Sequence, residues 1–146
     1  MSATTTLREA VEAIEAALDA APSLGVRRSD PLSGTATMTA QRGATGYFVR
    51  REITRNLDET RNADVSRVQD LLIVELQTRI GPKAQTVSRG DLYDRSDTVR
   101  NRITDLDFNR KWNLIHVDTR EELRPGEWFK LLLRFSLKRF EIVGAG

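Results

Sequence analysis

Cysteine is absent from the chain, and histidine occurs once, at His116. The first absence excludes disulfides, thiolate zinc sites, iron–sulfur ligation and thiol nucleophiles. The second makes a histidine-based metal site or a Ser-His-Asp triad hard to build within one subunit. Long apolar runs are missing as well: none approaches the ~18 residues that a membrane-spanning helix requires. The start, MSATTTLREAVEAIEAAL, carries acids where a secretory signal has a basic beginning and an apolar core. These absences lead us to expect no enzyme, no cofactor, no metal and no membrane partner.

A large excess of either charge is also lacking. Lys plus Arg number 23 and Asp plus Glu 21, a net charge of +2 over 146 residues. That is too small an excess to argue for nucleic acid by itself. The charge is unevenly placed, with −3 on residues 1–21 and +5 on the rest. With 39% apolar and 30% charged residues the composition is that of one charge-rich globular domain.

The first element is a helix. Thr6 and Glu9 form a capping box. Leu7, Val11, Ile14 and Leu18, with Ala10, Ala17 and Ala21, then draw one apolar stripe, and Pro22 ends it. Residues 23–46 show neither helical nor strand periodicity and are rich in Gly, Ser, Thr and Ala. Such a stretch is expected to be a flexible arm, reaching at most ~80 Å at about 3.3 Å per residue, that orders on a partner.

Tyr47–Ile53 reads as a strand, followed by a polar connection over 54–66. Arg67–Ile80 alternates, with Val68, Leu72, Val74 and Leu76 in one phase; Leu71 and Ile73 break the otherwise polar phase. Ser88 and Asp91 open a second helix, about 90–106, with Leu92, Val99, Ile103 and Leu106 on its stripe. Trp112–Asp118 is a short strand. The last strand, Trp128–Val143, places Phe129, Leu131, Leu133, Phe135 and Leu137 on one face. Its phase flips after Lys138, to Phe140 and Ile142, which suggests a bulge or a change of neighbour. The expected fold is α+β: a two-layer sandwich of a mostly antiparallel four-stranded sheet with two helices on one face, in the order α-β-β-α-β-β.

No constellation announces chemistry. Asp91, Asp94 and Asp97 could be imagined around a cation, but acids in a first helical turn complement the helix dipole. Arg89-Gly90-Asp91 spells an adhesion tripeptide in a chain without secretory features. Gly43-Ala44-Thr45-Gly46 lacks the lysine of a phosphate loop and precedes a strand. Arg27, Arg28, Arg42, Arg50, Arg51 and Arg55, with Tyr47 and Phe48 among them, could touch a phosphate backbone, although Asp30, Glu52, Asp58 and Glu59 interleave with them. The arm, the long polar connection and the apolar pair Leu71 and Ile73 instead suggest a surface completed by neighbours. Candidate interface residues are Arg27, Arg28, Arg42, Tyr47, Arg50, Leu71, Ile73, Arg134, Lys138 and Phe140.

The run of elements TLREAVEAIEAAL, VQDLLIVELQTRI, GDLYDRSDTVRNRI and WFKLLLRFSLKRFEIV resembles the tail terminator, or tail completion, proteins of long-tailed bacteriophages. The likeness is one of pattern and element order over about residues 5–143. It implies a structural virion protein that forms a hexameric ring, caps the tail tube, ends tail polymerisation and joins the tail to the head connector. The implied partners are other copies of the chain, the tail tube protein and a connector or stopper protein, with DNA passing through the lumen. The implied location is the tail–neck junction of the virion, and the host cytoplasm during assembly. Alternatives are another neck or head-completion ring, a tail adaptor, or a small basic nucleic-acid-binding domain.

Overall fold

A computed structural model describes residues 6–29, 45–57, 65–79, 89–106, 113–125 and 128–142. Helix α1 spans Leu7–Asp19 and strand β1 spans Val26–Arg28. Strand β2 (Thr45–Asn56), strand β3 (Val65–Arg79), helix α2 (Arg89–Thr104), strand β4 (Asn113–Arg124) and strand β5 (Trp128–Ile142) follow. The class is α+β, as the patterning indicates.

The sheet differs in detail from the expected one. It has five strands in the order β1-β2-β3-β5-β4. The pairs β2–β3, β3–β5 and β4–β5 are antiparallel, but β1 runs parallel to β2 through Val26–Thr45, Arg27–Gly46 and Arg28–Tyr47. The front of the expected arm is therefore structured: Pro22–Leu24 form a 3-10 turn, β1 follows, and Thr45 and Gly46 already belong to β2. A three-residue strand with one buried side chain has too few positions to display a period. Arg42 and the rest of residues 30–44 lie outside the described residues, as do Asp58, Glu59, Ser88 and Trp112.

Thr6 caps α1, its hydroxyl oxygen accepting from the Glu9 amide at 3.1 Å. The helix packs Ala10, Ile14, Ala17 and Leu18 onto the sheet, with Leu7 and Val11 at the margin of the core. Helix α2 adds Leu92, Val99 and Ile103 on the same side. They cover Tyr47, Leu72, Val74, Leu76, Leu131, Leu133, Phe135 and Leu137. Val68, which shares their phase, is buried but lies outside that cluster.

The turn between α1 and β1 depends on Gly25. Its φ of +70° is a left-handed conformation that side chains with a Cβ resist, and a Cβ there would sit 3.1 Å from the Arg95 guanidinium carbon. That guanidinium donates to the Gly25 carbonyl at 3.2 Å and the Thr45 hydroxyl at 2.8 Å, joining α2 to the turn before β1 and to the start of β2. Gly25→Ala should therefore cost about 1–2 kcal/mol in urea unfolding, from the backbone alone.

The bulge expected in the last strand is absent. The β3–β5 register runs unbroken from Val65–Ile142 to Arg79–Trp128. Register shifts fall instead in β2, between Arg51 and Ile53, and in β4, between His116 and Asp118. The change of phase in β5 has another cause. Arg139 occupies a helix-side position and is buried against Asp70 of β3, its Nε 2.5 Å from the carboxylate; the Thr54 hydroxyl donates to the other carboxylate oxygen. A buried ion pair replaces apolar packing at that end of the sheet.

Candidate interaction surface

Strand alternation sends one row of each strand to the helices and the other to the opposite face. On that opposite face β3 presents Gln69, Leu71, Ile73, Glu75 and Gln77. β5 contributes Lys130, Leu132, Arg134, Ser136 and Lys138, and β2 contributes Phe48, Arg50 and Ile53. No element among the described residues lies over this face.

Its polar groups pair across strands. Arg50 Nε donates to Glu75 at 2.9 Å, and Gln69 donates to the Ser136 hydroxyl at 2.8 Å. Arg134 donates to Asp118 of β4 through Nε at 3.0 Å and through a second nitrogen, and its other arm lies 3.6 Å from Glu52 of β2. The Arg134 hydrogen bonds hold the Asp118 carboxyl below its ordinary value. Arg134 thus reaches from β4 across β3 to β2. Long side chains laid over the face in this way cover apolar surface with their stems, and Leu71 and Ile73 keep only 7% exposure although no described element lies over them. Solvent screens exposed pairs of this kind, so they order the face more than they stabilise the fold.

The candidate interface residues therefore divide. Arg50, Leu71, Ile73, Arg134 and Lys138 share the open face. Arg28 and Tyr47 do not join them. Tyr47 is fully buried on the helix side, its hydroxyl donating to Asp19 and to the Glu15 carbonyl at 3.2 Å, while Arg28 donates to Asp19 at 2.6 Å and lies 3.5 Å from Glu15. Burial and the Asp19 carboxylate push the Tyr47 phenol well above its ordinary value. The two residues tie α1 to β1 and β2 within the subunit. Arg27 is exposed on β1. The Phe140 side chain, like Arg42, lies outside the described residues.

The lone histidine is engaged inside the subunit. His116 Nε2 is 2.8 Å from the Thr119 hydroxyl, and the ring meets Phe135 edge-on at 5.4 Å between centroids. Burial first, and the charge of Arg100 second, lower its pKa from 6.5. A base whose folded pKa is depressed takes up its proton more readily when unfolded. Its contribution to stability is thus present above pH 6.5 and lost as pH falls through the folded value. NMR titration of the histidine ring protons should give a midpoint below 6.5; a midpoint at or above it would contradict this packing.

Among the described residues no group of three or more His, Asp or Glu side chains is arranged to hold a metal ion. Asp97 lies 3.7 Å from Arg100, an i,i+3 pair on the α2 surface. No described helix is long and apolar enough to cross a membrane.

Sequence reasoning missed the Asp70–Arg139 pair and the Tyr93–Glu121–Arg89 cluster joining α2 to β4, in which Tyr93 donates to Glu121 and Arg89 lies 3.2 Å from it. Asp70 did carry a signal, as the lone acid in the apolar phase of β3. No protein-family model matches this chain, and no curated protein matches it.

Proposed function

We propose that the chain is a structural virion protein of the tail terminator type, whose subunits close into a ring at the end of the tail tube. The observation that carries this reading is the open sheet face. It is an ion-paired layer over a central apolar row, and no element of the described chain covers it. A second face so built suits contact with neighbouring copies or a tube beneath. The α+β frame, in the order α1-β1-β2-β3-α2-β4-β5, is compatible with the same reading. A neck or head-completion ring would share every one of these features.

Light scattering on the eluting purified chain tests it. Six copies of 16.5 kDa give a particle of about 100 kDa, and electron microscopy should show it capping purified tail tubes. A monomer at every concentration would sink the proposal. A ring that binds portal-side connectors but not tubes would favour the neck protein. Replacing Leu71 and Ile73 together by lysine should reduce the assembled fraction while shifting the unfolding midpoint little, because lysine stems can lie along the open face. An unchanged particle mass would remove these residues from the contact.

A further inference from the structure

The sheet has two long margins that no described strand covers. At one end lies β4. At the other, β1 covers β2 only at Thr45–Tyr47, leaving Phe48–Arg55 as an outer margin. Among the described residues the exposed large apolar side chains are Ile53, Leu57, Tyr93, Ile115, Val117 and Leu123. All but Tyr93 lie on β4, on β2, or immediately after β2. Tyr93 aside, the large apolar exposure among the described residues is gathered at the two sheet margins.

The margins also match in direction and in charge. Since β2–β3, β3–β5 and β5–β4 are each antiparallel, β2 and β4 point opposite ways. Two copies set side by side in the same sense would bring β4 of one against β2 of the next as an antiparallel pair, which extends the sheet by its more stable ladder. The β2 margin is basic, with Arg50, Arg51 and Arg55 against Glu52; the centre of β4 is acidic, with Asp118, Glu121 and Glu122 against Arg120. In the register that sets Arg50 opposite Glu122, Arg51 faces Glu121 and Glu52 faces Arg120. Each pair also shares a side. Arg50 and Glu122 belong to the open face, as do Glu52 and Arg120, while Arg51 and Glu121 belong to the helix face.

We propose that copies of this chain join head to tail by pairing the β4 margin of one with the Phe48–Glu52 stretch of β2 of the next, so that the sheet continues around the assembly. This rests on the ring reading and names the surfaces that close it. The contact is heterologous, using two different patches, and closes only through rotation between successive copies. The charges along β4 discourage pairing with strands that lack the complementary pattern, and like charges directly opposite one another are destabilising.

The Glu52–Arg120 pair offers the cleanest test. Among the described residues Glu52 lies 3.6 Å from Arg134, which keeps Asp118. Glu52→Arg alone and Arg120→Glu alone should each raise the concentration at which particles form about tenfold, with unfolding midpoints unchanged. The double variant should regain wild-type assembly, and so should an equimolar mixture of the two single variants, since each interface then holds opposite charges. A double variant no better than the weaker single one would overturn the pairing. Weakened assembly in Arg120→Glu with Glu52→Arg left at wild type would also overturn it, pointing to β4 pairing with β4. Wild-type particles indifferent to both changes would overturn the pairing and leave the ring standing. A wild-type chain monomeric throughout would remove both.

Discussion

Asp70→Ala should destabilise the subunit by about 3–5 kcal/mol in urea unfolding, one of the two largest effects expected of a single substitution. Asp70 is fully buried and Arg139 is 8% exposed, so removing the carboxylate takes from the buried guanidinium the acid that its Nε donates to. Breaking a buried pair by removing one partner is far more costly than the pair was favourable. The Thr54 hydroxyl loses its acceptor in the same step. Replacing both partners, Asp70→Leu with Arg139→Met, should recover most of the loss, because an apolar pair of similar volume needs no compensating charge. A double variant as unstable as the single one would mean that Asp70 matters for its contact with Thr54 or for packing rather than for the ion pair.

Leu133→Ala should cost a similar amount, about 2–5 kcal/mol, and Leu72→Ala likewise. Both side chains are completely buried between the sheet and the two helices. Each loses the transfer free energy of the deleted methyl and methylene groups and leaves a cavity that rigid strands on both sides cannot close. Leu71→Ala is the informative control. Leu71 is nearly as hidden, yet it lies on the face that no described element covers, where neighbouring side chains can settle into the gap. Its cost should be the smaller. Equal losses at Leu71 and Leu133 would mean that the open face is packed as tightly as the core.

The sheet margins tie these energetics to assembly. In the proposed assembly the margins and the open face serve contacts between copies, while the two helices cover the core within one chain. Variants at Glu52, Arg120, Leu71 and Ile73 should therefore separate from variants at Asp70, Leu72 and Leu133. The first group acts on particle mass, the second on the unfolding midpoint.

Much of this fold is legible along the chain. The capping box at Thr6 and Glu9 and the spacing of Ala10, Ile14 and Leu18 mark α1, and alternation from Phe129 to Leu137 marks the core face of β5. Those signals are local, because a helix or a half-buried strand repeats its environment every few residues. The absence of cysteine, a matter of composition alone, excludes thiol chemistry whatever the fold. What only the tertiary structure decides involves residues distant in sequence. β1 exists because β2 gives Val26–Arg28 a parallel partner after a long connection. The phase change after Lys138, which has the pattern of a bulge, is a charge meeting Asp70 at a separation of 69 residues. Tyr47, a surface aromatic among arginines by its sequence neighbours, is buried because α1 brings Asp19 to its hydroxyl. Periodicity states which side of an element is apolar. Strand order, and hence which margins stay open and which charges face each other, follows from the packing of all the elements together.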